Sequence, residues 1–206
     1  MSFSRKFQQN QCGNLGNPAT WKLFCRFADA VGSICCGLSS RGDGTFHWTL
    51  LFPIDTTTAI KIHATNFQGP WEFEKTYQTL ETSPSATICV VVKIGASVVQ
   101  HHVFHDSQFT YVGEMPGNTF EYVCELLRAI PMEVPDVFSD SEQRFSCRVW
   151  VKAAWRVMDA NDIIKCSDVV ALERKMWDLG KEHDPLTITG APFKFHTARS
   201  SCSIRT

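Results

Sequence analysis

The sequence predicts an α+β fold, with an antiparallel sheet of about five or six strands and helices packed on one face. Short runs rich in β-branched and aromatic residues fill the chain up to about residue 112, and amphipathic helical patterns follow from residue 117. Strands followed by helices in this way are typical of the fold class. At 206 residues with 44% hydrophobic side chains, the chain is long enough to bury one substantial core.

We expect a flexible N-terminal arm over residues 1–20, one α+β domain over residues 21–182 and a C-terminal tail over residues 183–206. The net charge is −1 and no basic run is present, so the composition does not favour a nucleic-acid partner. The chain begins with polar residues, and no apolar run approaches the length of a membrane span. Nine cysteines without a CxxC pair indicate reduced thiols, so we expect a cytoplasmic protein without a cysteine zinc site. The sequence also has no Gly-rich phosphate loop and no His-Glu-x-x-His motif, and we expect no metal and no cofactor.

The strands are predicted from period-two alternation and from β-branched runs. The turn compositions SSRGDGT at residues 39–45 and IDTT at residues 54–57 separate the first strands from one another. The run TICVVVKI is nearly continuous in β-branched residues, which indicates a strand buried on both faces. The predicted strands cover residues 21–31 with an extension at 34–38, residues 46–53, 58–65, 71–77 and 87–94, and a further strand or loop within residues 98–112.

Helices are predicted where apolar residues recur at three- and four-residue spacing. The first covers residues 117–130, the second begins at Cys147 and runs to about residue 157, and the third covers residues 167–180. Residues 161–166 form a short helix or a turn. The predicted end signals are Asn118 or Thr119 as the cap of the first helix, Ser146 as the cap of the second, and Ser167 as the cap and Gly180 as the stop of the third.

Cys147 combines with two histidines into a candidate catalytic set. A cysteine in the first turn of a helix lies at the positive end of the macrodipole, which favours the nucleophilic thiolate. His47 and His63 lie on consecutive predicted strands, and two adjacent antiparallel strands can place them side by side on one face. A helix packed across that face brings Cys147 to them, with His47 as the general base and His63 orienting it. The same three residues also fit an inert core thiol and two ordinary strand histidines.

Three further residues are candidates for substrate binding: Arg148, Trp48 and Trp71. Arg148 follows Cys147 directly, so it either binds a substrate carboxylate and lowers the pKa of the thiol or pairs with an acid of residues 135–142. Trp71 either forms the wall of a pocket or packs in the core. Trp48 adjoins the histidine that we expect to act as the base.

The motifs His47-Trp48-Thr49-Leu50-Leu51, Ile62-His63 and Ser146-Cys147-Arg148-Val149-Trp150 carry a family resemblance. They resemble the circularly permuted papain-like superfamily, of which the lecithin retinol acyltransferase type is best known. They are also similar to a fungal domain family of unknown function that has a His-Trp strand and a Gly-Cys-Arg-x-Trp helix, over roughly residues 22–165. The chain departs from these patterns at Ser146, where the families have Asn or Gly, and at His63, where the fungal family has Asp or Asn.

The resemblance implies a permuted papain-like fold with Cys147, His47 and His63 at its site. We therefore expect a cysteine-dependent acyl-transfer enzyme, either a hydrolase, a cyclase or an acyltransferase. In it, Cys147 attacks an ester, thioester or amide carbonyl of a small molecule, and the fungal resemblance suggests a tailoring step of secondary metabolism. The alternatives are a cyclase or isomerase that binds a small molecule without forming a covalent intermediate, and a non-enzymatic binding module.

Overall fold

The computed structural model describes residues 30–80, 87–95, 102–105, 108–111, 120–188 and 193–198. Within these ranges the protein is α+β, with a mixed six-stranded sheet, a two-stranded hairpin and three α-helices. The predicted arm over residues 1–20 and most of the strand predicted at residues 21–31 lie outside the described residues. None of the helices in the described ranges is both long and apolar enough to cross a membrane.

The main sheet is formed by β1 (Ile34–Ser40), β2 (Phe46–Pro53), β3 (Thr58–Thr65), β4 (Glu72–Thr79), β5 (Ile88–Gly95) and β8 (Lys194–Thr197). Its strand order is β4-β3-β2-β1-β5-β8, and every neighbouring pair is antiparallel except β5 and β8, which are parallel. The sequence predicts an antiparallel sheet, but the observed sheet is mixed. The difference arises in the predicted C-terminal tail, where buried Phe193 packs into a core and the following residues form β8. The separate hairpin pairs β6 (His102–His105) with β7 (Gln108–Tyr111).

The three helices are α1 (Phe120–Arg128), α2 (Cys147–Ala160) and α3 (Val169–Ile188), with a short 3-10 helix at Asp136–Phe138. Ser146 caps α2, because its extended backbone lets the side-chain oxygen accept a hydrogen bond from Val149 N at 3.3 Å. This cap fixes the start of α2 at Cys147. Residues 161–166 form a turn.

α3 is longer than the sequence predicts, because it continues through Gly180 and Pro185 to Ile188. A Cβ at Gly180 would lie 2.9 Å from side-chain atoms of both Leu38 and Phe46. Glycine at this position therefore allows the helix to approach the sheet closely, and it does not end the helix. The predicted cap also differs, since Asp168 accepts the hydrogen bond from Ala171 N at 2.8 Å.

The three helices pack on one face of the sheet, which we call the helix face. There Trp48 of β2 meets Trp155 of α2 edge to face at 6.1 Å between ring centroids, and Phe52 meets Phe120 of α1 at 5.2 Å. A smaller core, which includes Leu51 of β2, covers part of the opposite face, which we call the second face. Because side chains alternate along a strand, the residues between those of the helix face point to the second face. This alternation decides where the candidate functional side chains lie.

Candidate functional site

A pocket of about 470 Å³ lies at the end of the sheet where β2 and β4 begin and β1 and β3 end. Its volume is within the range of small-molecule sites in proteins. One wall comes from β2, β3 and β4, and the rest comes from the segments that follow β1 and join β3 to β4. The lining residues are Arg41, His47, His63, Thr65, Asn66, Phe67, Gln68, Trp71, Glu72 and Glu74.

His47 and His63 are hydrogen-bonded to each other in this pocket. Leu50 of β2 pairs with Ile62 of β3, so the register brings the two histidines to neighbouring positions on the second face. Nε2 of His47 lies 2.7 Å from Nδ1 of His63, and the two rings meet edge to face at an interplanar angle of 82°. One ring nitrogen of each histidine is thus engaged with the other histidine.

Glu74 extends this pair onto a third strand. It lies directly opposite His63 in the β3–β4 register, and its Oε2 approaches Nε2 of His63 to 2.8 Å. The contact is short, but its direction falls outside hydrogen-bond geometry, so we treat it as an electrostatic contact. The side chain of Glu74 is 45% exposed, whereas that of His63 is 5% exposed. Solvent therefore screens the carboxylate while the imidazole stays buried.

The contacts of His63 assign the tautomers of both histidines. The carboxylate of Glu74 favours the proton of His63 on Nε2, because that is the ring nitrogen 2.8 Å from Oε2. Nδ1 of His63 is then an acceptor, so the hydrogen bond between the rings is donated by Nε2–H of His47. A neutral His47 consequently carries its lone pair on Nδ1. That atom is the proton acceptor that the network leaves available for a substrate.

Both imidazoles are neutral near pH 7. Burial, together with electrostatic repulsion from His63, Arg41 and Lys61, lowers the pKa of His47 from 6.5 to about 3. Burial and the charge of Lys61 lower the pKa of His63 from 6.5 to about 4. The attraction of Glu74 would raise the pKa of His63, but burial outweighs the contribution of this half-exposed carboxylate. The pocket therefore contains two uncharged imidazoles and not a histidine cation.

Arg41 connects the pocket to the start of α2. It follows the last residue of β1, lines the pocket, and donates from Nη2 to the sulfur of Cys147 at 3.8 Å. A second connection is the edge-to-face contact of Trp71, a lining residue, with Phe145 at 5.3 Å between ring centroids. The N-terminus of α2 thus adjoins the pocket end of the sheet.

The structure does not bring Cys147 and His47 together. Cys147 is 3% exposed and belongs to the core on the helix face, the same core that contains Trp48. His47 precedes Trp48 on the strand and therefore points to the second face. These two described residues share no hydrogen bond, and the sulfur instead contacts Arg41. We expected α2 to pack across the histidine face, but Trp150 and Trp155 bury it against the opposite face.

The three predicted substrate-binding residues occupy different environments. Trp71 lines the pocket, whereas Trp48 is fully buried in the core of the helix face. Arg148 forms ion pairs with Glu142 and Glu173, so its guanidinium is engaged away from the pocket. Glu142 lies in residues 135–142, the segment in which one of the two predicted alternatives placed an acidic partner of Arg148. Neither Trp48 nor Arg148 is among the described lining residues.

Arg41 and Glu74 are among the lining residues that were not predicted from the sequence as site residues. Arg41 lies in the SSRGDGT segment, whose composition indicates only a turn. Glu74 lies in a predicted strand, but its position opposite His63 depends on a register that the sequence pattern does not define. In the described part of the chain, no group of three or more His, Cys, Asp or Glu side chains is arranged to hold a metal ion.

Comparisons of the chain with protein-family models, with curated proteins and with solved structures find no match.

Proposed function

We propose that the protein is an acid–base enzyme that acts on a small molecule in this pocket and forms no covalent intermediate. The observation that supports the proposal is the continuous contact from Glu74 through His63 to His47 across three adjacent strands. Three groups on strands of one sheet are held more rigidly than groups on loops, which suits a proton acceptor and the residues that orient it. Isomerisation or cyclisation is the reaction class, because either needs one proton removed and one returned.

In this reaction Nδ1 of His47 accepts a proton from a C–H or O–H group of the substrate. The imidazolium that forms keeps its Nε2–H bond to His63, whose other nitrogen lies 2.8 Å from the carboxylate of Glu74. The proton then returns to a different atom of the substrate, and the enzyme ends in its starting state. A low pKa of His47 makes it a weak base, but it also makes the imidazolium a strong acid that returns the proton readily.

Cysteine-dependent acyl transfer in a permuted papain-like fold is the second candidate, and the Arg41–Cys147 contact favours it. Arg41 lines the pocket while its guanidinium lies 3.8 Å from the sulfur, at the capped N-terminus of α2. A cation and a helix N-terminus are both features of nucleophilic cysteines. This candidate requires a conformational change that brings His47 close to Cys147, because His47 points to the second face of the sheet and Cys147 belongs to the core on the helix face. In this second candidate, the acyl transfer is a tailoring step on a secondary metabolite, as the fungal resemblance suggests.

Deuterium incorporation into a panel of small molecules tests the first proposal. The protein is incubated in D₂O with small carboxylic acids and ketones, and deuterium uptake by each compound is measured by mass spectrometry. A base that exchanges its proton with solvent returns deuterium to the substrate. We expect uptake in at least one compound, and a loss of roughly a hundredfold or more in His47→Gln, since that is the usual contribution of a general base.

Two further variants separate the candidates. His196→Gln removes a half-buried histidine of β8 and serves as the control, for which we expect the wild-type rate. Cys147→Ser keeps the rate if the proton transfer is non-covalent. An unchanged rate in His47→Gln would refute the acid–base proposal. Selective alkylation of Cys147 that abolishes turnover, with an acyl adduct visible in the intact mass, would favour the acyl-transfer candidate.

A further inference from the structure

We propose that the pocket binds a substrate that carries a carboxylate and an apolar, planar body, and that Arg41 holds this carboxylate next to His47. The inference rests on the proposed function for the position of the reacting group, but the binding itself can be measured separately.

The charges of the pocket are ordered across the sheet. Glu74 lies on β4, His63 on β3 and His47 on β2, and Arg41 follows β1. Since the strands are adjacent in the order β4-β3-β2-β1, a carboxylate stands at one end of this row and a guanidinium at the other. The two imidazoles between them are neutral near pH 7. An anion entering the pocket is therefore attracted to the Arg41 end, which is the end that adjoins the proposed base.

Arg41 has donors to spare for such an anion. None of the ion pairs of the described residues includes Arg41, and its hydrogen bond goes to the sulfur of Cys147, a weak acceptor. Hydrogen bonds from Thr45 and the charge of Arg41 lower the pKa of Asp43, so this carboxylate competes for the guanidinium. However, its Oδ1 accepts hydrogen bonds from the backbone N–H and the hydroxyl of Thr45, at 2.9 and 2.6 Å. A guanidinium has five N–H donors in a planar fork, which matches the two oxygens of a carboxylate.

The remaining charges favour a monoanion. Glu72 lines the pocket together with Glu74, so two carboxylates face one guanidinium across the cavity. A doubly charged phosphate would meet more repulsion from these two acids than a singly charged carboxylate does. The shared chemistry of the two ligands is an oxyanion, and the experiment below distinguishes them.

The apolar part of the pocket indicates the rest of the ligand. Phe67 lies in the turn that joins β3 to β4 and is 91% exposed, although it is a large hydrophobic residue. Trp71 forms the neighbouring wall. An exposed aromatic residue at the entrance of a pocket stabilises a flat apolar group by stacking or edge contact. The substrate is therefore a carboxylic acid with a planar body, and the atom that loses its proton lies close to the carboxylate.

Binding of matched probes tests this inference. Phenylacetate, phenylacetamide and phenyl phosphate are titrated into the protein with ¹⁵N-labelled histidine, and the imidazole resonances of His47 and His63 are followed. We expect phenylacetate to bind roughly tenfold more tightly than the amide, as one charge-assisted contact provides. Arg41→Gln should abolish this preference, and Arg41→Lys should keep part of it. Arg128→Gln, which removes an arginine of α1 on the helix face, should leave the preference unchanged.

Several outcomes would overturn the inference: equal affinity for the acid and the amide, a preference that survives Arg41→Gln, tighter binding of phenyl phosphate than of phenylacetate, or no shift with any probe. The two proposals also fail differently. Carboxylate binding that depends on Arg41, without deuterium uptake in any compound, supports this inference and counts against the acid–base function. Uptake confined to uncharged ketones supports the function and overturns the inference.

Discussion

Acidification is expected to destabilise the fold through the buried histidine pair. The folded-state pKa values of His47 and His63, about 3 and about 4, lie below the ordinary value of 6.5. Between these limits the unfolded chain binds protons that the folded chain does not bind. The free energy of unfolding is therefore at its full value above pH 6.5 and falls as the pH is lowered.

The size of the effect follows from the same values. Lowering the pH from about 7.5 to about 5.5 costs about 1.4 kcal/mol for each histidine, because its folded-state pKa is more than one unit below the lower pH. The pair together costs about 3 kcal/mol, a large part of the stability of an ordinary domain. The exact folded-state pKa values hardly affect this result, since both imidazoles remain neutral throughout the range. Carboxylates titrate mainly below this window and contribute little to the difference.

Urea denaturation followed by tryptophan fluorescence measures the effect at the two pH values. The comparison is between the wild type and the double variant His47→Gln/His63→Gln, whose loss on acidification should be smaller by about 3 kcal/mol. His183 also has a pKa lowered by burial, so the double variant keeps some pH dependence. Identical losses in the wild type and the double variant would refute the assignment of two neutral, buried imidazoles.

Three more predictions concern the elements that hold the site, and urea denaturation measures each. Glu142→Gln should destabilise the fold by about 3 kcal/mol, because the buried Glu142 pairs with Arg148 and Lys152 and its loss leaves these two cations with Glu173 alone. A loss below about 1 kcal/mol, which is typical of an exposed ion pair, would contradict a buried network. Gly180→Ala should destabilise by about 1–3 kcal/mol, since the new Cβ would crowd Leu38 and Phe46; stabilisation, which helix propensity alone predicts, would show that α3 can shift. Ser146→Ala should cost about 1 kcal/mol and Ser146→Gly only a few tenths, so equal losses would argue against the cap.

The face on which the two histidines lie could be predicted from the sequence. Side chains alternate with a period of two along every strand, so the spacing within HWTLL and TAIKIHA separates His47 and His63 from Trp48 and Ile62. The order of the two strands and the short turn between them then made an antiparallel neighbour pair the simplest arrangement. The structure has the two rings hydrogen-bonded at 2.7 Å.

The side on which α2 packs could not be predicted in the same way. Both faces of β2 carry large apolar residues, with Leu50 and Phe52 on one and Leu51 on the other. Alternation therefore defines two faces without saying which one a helix covers. β8 could not be predicted either, for a different reason. Its short sequence KFHT carries no strong strand pattern, and the segment becomes a strand only by pairing with β5.

Helices cover one face of the sheet, and a second core covers part of the other face. The pocket therefore opens at the end of the sheet. The row from Glu74 to Arg41 crosses the sheet at that end. Arg41 connects the two parts of the predicted site, because it lines the pocket with the histidines and also donates to the sulfur of Cys147. A substrate held by Arg41 would lie beside His47, and it would also lie next to the guanidinium that covers the sulfur of Cys147. Both candidate reactions thus depend on Arg41, but with opposite requirements. Acid–base chemistry needs the guanidinium to stay and hold the carboxylate, whereas attack by Cys147 needs it to leave room for a substrate at the sulfur while remaining close to it, because Cys147 is 3% exposed.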